Sequence, residues 1–263
     1  MSRKPPRKSL PAKSVQDFRA LLEQALETKD ELGRKWADAQ WGCYAFYDYE
    51  GEPIYVGQTN ERLRTRIRRH LSNQRTDAVA MRILDVFEVA EMELWPLWEY
   101  EGIAGPAKAG AKQHLNRVEY TAYTCAIEDS RFKAILNEKI PPVSPVGELP
   151  PSMRFHLISE TTRAERGHPD VRIARRAETV SRLAAVAHER GEVSAGLRRV
   201  LVIQAVRLAY LAATRLSEAE GRPEPSAAAI NMYGLVGDVN RPLNDADTDT
   251  AEGDEELDFD EHD

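Results

Sequence analysis

The stretch from Trp41 to Val56 limits this chain's fold more than any other. Trp41–Tyr49 (WGCYAFYDY) is rich in aromatic residues and suits a β-strand. Glu50-Gly51-Glu52-Pro53 has the chemistry of a turn, and Ile54-Tyr55-Val56 suits a short second strand. The two strands form a hairpin, which is not stable alone and needs other elements to cover its faces.

Those elements are legible on either side. Before the hairpin, Phe18, Leu21, Leu22, Ala25 and Leu26 recur at three- and four-residue steps, predicting a helix from Ser14 to about Lys35. After it, Asn60 can cap a helix reaching about Asn73, with Leu63, Ile67 and Leu71 on one stripe. A further helix fits Asp77–Val86, and Val89–Leu97 alternates as a third strand. Gly102–Gly110 reads as a loop and Lys112–Ile127 as a helix with Leu115, Val118, Ala122 and Cys125 on one stripe. The expected fold is α/β: a sheet of about three strands flanked by helices.

Five prolines between Pro141 and Pro151 mark a boundary. Beyond it, Arg175–Arg190 and Ser194–Glu220 predict a C-terminal helical hairpin. Val200–Leu211 is apolar except for Gln204 and Arg207 and lies beside Arg182, Arg198 and Arg199, so dimer or DNA contacts are expected of the hairpin. The resulting division is a disordered basic arm (1–13), an N-terminal helix (14–36), a principal domain (41–140), a proline-rich linker (141–151), a helical domain (152–222) and an acidic disordered tail (238–263).

The net charge of −7 is unevenly placed. From Asp238 onward lie 12 of the 43 acidic residues and one of the 36 basic ones, leaving 31 acids against 35 bases elsewhere. A basic body with an acidic tail fits a polyanionic partner. Two cysteines, Cys43 and Cys125, make neither a disulfide framework nor a metal cluster. No run of about 18–20 uncharged apolar residues is present. The basic N-terminus has no apolar run behind it, so neither a signal peptide nor a membrane association is expected, and the location expected is cytoplasmic.

The residues that carry chemistry are concentrated. Gly42-Cys43-Tyr44 is followed by Tyr55-Val56-Gly57, then by an arginine-rich helix with Arg66 and His70 one turn apart, then by Glu119 and Asn137. Phosphodiester cleavage needs a deprotonated water, a cation for the phosphorane and relief of charge on the leaving oxygen. Five arginines between Arg62 and Arg69 suit phosphate contact. Arg66 and His70 fall on the flank of the Leu63 stripe, and Glu119 on the flank of the Leu115 stripe, where side chains can enter a cleft.

In this order, over about Trp41–Asn137, the motifs resemble the GIY-YIG nucleases. The resemblance implies that Tyr44 and Tyr55 position or deprotonate the attacking water, Arg66 stabilises the phosphorane and His70 assists proton transfer. Glu119 would ligate Mg2+, with Mn2+ as a substitute, and Asn137 would brace the site by hydrogen bonding. Gly57 would allow close approach of the loop. Gln58 and Thr59 follow the second motif and, with Arg62, Arg64, Arg68 and Arg69, are candidate DNA contacts. The sequence departs from the family pattern in three ways. Cys43 replaces a branched aliphatic residue, Arg66 lies nine residues after Gly57, and the Glu119–Asn137 interval is long.

The implied activity is metal-dependent DNA cleavage, best fitting the restriction-endonuclease branch. The alternatives are a structure-specific repair nuclease and a non-catalytic DNA-binding regulator that keeps the fold. The intact Tyr44, Tyr55, Arg66, His70, Glu119 set speaks against the regulator. The expected substrate is double-stranded DNA, and cutting both strands with one site per chain leads to an expected homodimer.

Overall fold

A computed structural model describes residues 12–72 and 83–241 of the 263-residue chain. Most of the basic arm, of the acidic tail and of the helix expected over 77–86 lies outside the described residues. Helix α1 is Lys13–Glu27, burying Phe18, Leu22, Ala25 and Leu26. It ends eight residues before Lys35. Thr28 is extended, and the Asp30 carboxylate accepts hydrogen bonds from the Leu32 and Arg34 amides, which bends the chain away.

Strands β1 (Gly42–Tyr47) and β2 (Pro53–Thr59) form the hairpin, with Tyr44 opposite Gly57 and Phe46 opposite Tyr55. Strand β3 is Glu91–Pro96 and pairs with the other side of β1. A fourth strand, β4 (Met153–His156), adds to the three expected and pairs with β3 beyond the proline-rich segment. Its short, mostly exposed stretch has only Phe155 turned inward, so it gives little periodic signal. The sheet is antiparallel in the order β2-β1-β3-β4, so β2 is an edge.

Helix α2 (Leu63–Leu71) covers the sheet face of Gly42, Tyr44 and Phe46 through Leu63, Ile67 and Leu71. Asn60 does not cap it: the residue before α2 is Arg62, which makes no capping bond. Helix α3 (Ala107–Asp129) covers the opposite face, where the Cys43 thiol contacts the Leu115 carbonyl. It starts inside the expected loop and carries Gly110 in its first turns. Cys43 is buried, as expected for a core position, while Cys125 is half-buried.

Beyond α4 (Glu160–Arg166), helices α5 (Pro169–Arg190) and α6 (Ala195–Ala219) form the expected hairpin around Gly191, whose φ of 68° lies in the left-handed region. A short α7 (Met232–Val236) follows. By length and composition α6 could cross a membrane. Its polar side chains Arg199, Gln204 and Arg207 instead bond to the protein's interior, as in a packing helix.

The hairpin's inner face is polar as well as apolar. Asp48, at the β1–β2 turn, is 1% exposed, and its Oδ2 accepts hydrogen bonds from Arg172 (2.9 Å), Arg176 (3.0 Å) and Arg207 (2.9 Å). Its Oδ1 accepts from the Glu50 and Glu52 amides, and Glu88 pairs with Arg172 and Arg176. The helices expected to serve DNA or a second copy hold the turn of the β1–β2 hairpin through these arginines. Removing them would leave Asp48 buried without a counter-charge, at a cost typical of broken buried pairs.

Candidate active site

The two tyrosines share one sheet face because Tyr44 lies opposite Gly57, whose strand neighbour two residues earlier is Tyr55. Their rings stack with centroids 6.2 Å apart at 30°. The Tyr44 hydroxyl is 2.8 Å from His70 Nε2. His70 reaches it from the last turn of α2, one turn after Arg66.

These groups hold protons in a definite pattern. Burial, helped by the nearby Arg66 and Arg69 charges, holds the His70 imidazole down to about 4. At neutral pH His70 is uncharged, and Nε2 can accept the hydrogen that Tyr44 donates. Burial raises the Tyr44 phenol well above its ordinary range and raises that of Tyr55 as well, with Arg66 opposing both shifts. Neither tyrosine is a free phenolate at neutral pH. Arg66 lies beside both, and its Nε is buried without a hydrogen-bond partner. A phosphate oxygen is the kind of group that would satisfy it.

Glu119 is on the other side of β2. It projects from α3 toward the sheet face of Gln58, and Gln58 Nε2 donates to Glu119 Oε2 at 2.7 Å and to Asn116 Oδ1 at 3.0 Å. Lys112 Nζ donates to Gln58 Oε1 at 3.2 Å. Burial pushes the Glu119 carboxyl up to about 7 despite the Lys112 charge and the Gln58 hydrogen bond.

The tyrosine and glutamate sides meet around the edge strand. Asn137 completes that edge, its Oδ1 accepting from the Val56 amide (3.0 Å) and its Nδ2 donating to the Val56 carbonyl (2.7 Å). The side chain thus pairs with the strand as a neighbouring backbone would. Leu136 adds a bond from its amide to the Ile54 carbonyl. A cleft of about 450 Å³ results, lined by Tyr44, Tyr55, Gly57, Gln58, Arg66, Glu119 and residues 137–142.

The structure brings together Tyr44, Tyr55, Arg66, His70, Glu119, Asn137 and Gln58, and leaves other candidates elsewhere. Arg64 is tied to Glu27, Asp38 and the Leu26 carbonyl, and Arg68 to Glu23, so both face α1. Arg69 pairs with Glu61, and Arg62 is exposed at the head of α2. Thr59 is buried, with its hydroxyl accepting from the Glu61 amide as a turn former. Sequence reasoning missed Lys112. Its signal was the spacing of Lys112, Asn116 and Glu119, which places the three on one helical face.

Among the described residues no group of three or more His, Cys, Asp or Glu side chains could hold a metal. The donor set therefore does not suit zinc. A single desolvated carboxylate does suit Mg2+, which keeps most of its waters and takes one or two carboxylates together with phosphate oxygens.

Residues 40–101 match the family model described as the GIY-YIG catalytic domain. No curated protein and no solved structure matches the chain.

Proposed function

We propose, from the GIY-YIG catalytic domain that the chain carries over residues 40–101, that this protein is a metal-dependent DNA endonuclease of restriction type. Domains of this kind belong to nucleases that act on DNA. The observation that most supports a working enzyme is the Tyr44–His70 hydrogen bond beside an unpaired Arg66 Nε, with Glu119 in the same cleft.

In this reading, a water in the cleft loses a proton to the Tyr44 oxygen as Tyr44 passes its own to His70 Nε2. Neutral His70 makes the transfer possible without a free phenolate. Arg66 offers its guanidinium to the equatorial oxygens, where negative charge accumulates. Tyr55 stacks on the Tyr44 ring and holds it in place beside the water. Glu119 would hold Mg2+, which when bound neutralises charge on the phosphate and the leaving oxygen. Asn137 keeps the Tyr55–Gly57 strand segment in place.

Incubating plasmid with the protein and Mg2+ tests the proposal. Discrete fragments are expected, and run-off sequencing of their ends would give the site and stagger. A smear would count against restriction. DNA binding without cutting, in Mg2+ and in Mn2+, would overturn the enzyme reading in favour of a regulator.

A further inference from the structure

Asn137 sits on an irregular segment that does not support itself. Its own side chain and Leu136 hold one side of the segment to β2, and the other side meets the first turn of α6. Three features of that turn are shaped to receive it. Arg199 is 7% exposed, and its Nη2 donates to the Glu138 carbonyl at 2.9 Å and the Asn137 carbonyl at 3.3 Å. No carboxylate pairs with it among the described residues, so its hydrogen bonds go to backbone oxygens. Ser194, whose Oγ caps α6 by accepting from the Leu197 amide, donates the same hydroxyl to Glu138 Oε1 at 2.6 Å. A Cβ on Gly196 would lie 2.1 Å from the Glu138 carbonyl oxygen, so only glycine permits this approach.

We propose that the first turn of α6 is a platform that positions Asn137, with Arg199 as a positioning residue for DNA cleavage. Asn137 is buried and Glu138 half-buried, and their carbonyls need donors that their irregular segment does not supply. Arg199 supplies them, which fixes the Asn137 amide against Val56, between the two cleft residues Tyr55 and Gly57. The platform lies outside the residues matched to the catalytic domain, and because Arg199 is buried it ties the C-terminal helices to the cleft without adding a group that touches DNA.

The catalytic part of this inference rests on the nuclease reading, so the test includes a readout independent of cleavage. In the full-length chain, Arg199→Met keeps the length of the side chain and removes its donors. Amide exchange of the peptide spanning β2 should rise about 10-fold, because the Val56 amide is less steadily held. Single-turnover plasmid cleavage in Mg2+ should fall about 10- to 100-fold, with DNA affinity unchanged. Arg199→Lys, which can still reach one carbonyl, should restore part of both and covers the case in which Arg199→Met does not fold. Adding Asn137→Ala to Arg199→Met should slow cleavage no further than Asn137→Ala alone. Parental exchange and rate in Arg199→Met, or losses that multiply with those of Asn137→Ala, would overturn the proposal. If the parent protein cuts no DNA, the nuclease reading fails, and the exchange measurement still decides the positioning.

Discussion

Tyr44 and Gly57 face each other across the β1–β2 ladder, with the tyrosine hydroxyl 2.5 Å from where a Cβ on residue 57 would sit. Gly57 is therefore a glycine for space. The Tyr44 ring crosses the bare backbone to reach His70. Gly57→Ala should push the ring off that hydrogen bond, slowing cleavage about 10- to 100-fold and costing about 1–3 kcal/mol of stability through overpacking. Single-turnover rates and urea midpoints check both, and a variant that cuts at the parental rate would show that the close contact has no catalytic role.

The buried Asp48 should be among the costliest residues to neutralise. Asp48→Asn keeps the shape but leaves Arg172, Arg176 and Arg207 crowded around an uncharged group. A loss of about 3–5 kcal/mol in urea unfolding is expected. A loss under about 1 kcal/mol, the size usual for an exposed pair, would mean that the cluster is solvated in solution.

How much of this was legible in the sequence depended on how local each signal was. Aromatic enrichment around a turn placed β1 and β2, and four-residue spacing placed α2, whose Leu63, Ile67 and Leu71 are all buried. The four-residue spacing also put Arg66 and His70 on one flank of α2. Arg64 and Arg68 looked equally suited to phosphate, and only Glu23, Glu27 and Asp38, supplied from before the hairpin, reveal that they face α1. The Asp48 cluster was invisible because its arginines lie 124 to 159 residues away and an aspartate at a turn is ordinary. The early end of α1 was set by the Asp30 turn, which hydrophobic spacing does not register.

The arginines of α2 should divide into two kinds. Arg64→Ala should lower stability by about 1–2 kcal/mol and leave DNA affinity and its salt dependence unchanged. Arg66→Ala should lose cleavage about 100-fold or more and weaken binding, with the log–log salt slope falling by about 0.9. Titrations at several salt concentrations separate the two. Equal effects of Arg64 and Arg66 on the slope would contradict the placement of Arg64 against α1.

Glu119 should make metal-free stability depend on pH. Its carboxyl is pushed up from 4.5 to about 7 in the folded chain, so the folded state binds more protons than the unfolded state between those values. Stability contributed at this site therefore falls as pH rises from about 4.5 through 7 and levels off above it, by at most about 3 kcal/mol. Glu119→Gln cannot ionise, so its stability relative to the parent should increase from pH 5 to pH 8. Urea unfolding at four pH values in that range checks this. A difference that stays constant with pH would mean that Glu119 is not desolvated.

Whether Glu119 takes part in cleavage is decided by cleavage and binding measured side by side on the Glu119→Gln variant. The substitution keeps size and hydrogen-bonding capacity but removes the charge that would hold Mg2+. Glu119→Gln is expected to fold and to bind DNA as tightly as the parent or more so, because the α2 arginines remain and a negative charge beside the phosphate is gone. Single-turnover cleavage in Mg2+ should fall about 100-fold or more, the loss of several kcal/mol of charge stabilisation. A folded Glu119→Gln protein that nicks DNA at the parental rate would remove Glu119 from the reaction and contradict the assignment of this cleft as a metal-dependent nuclease site.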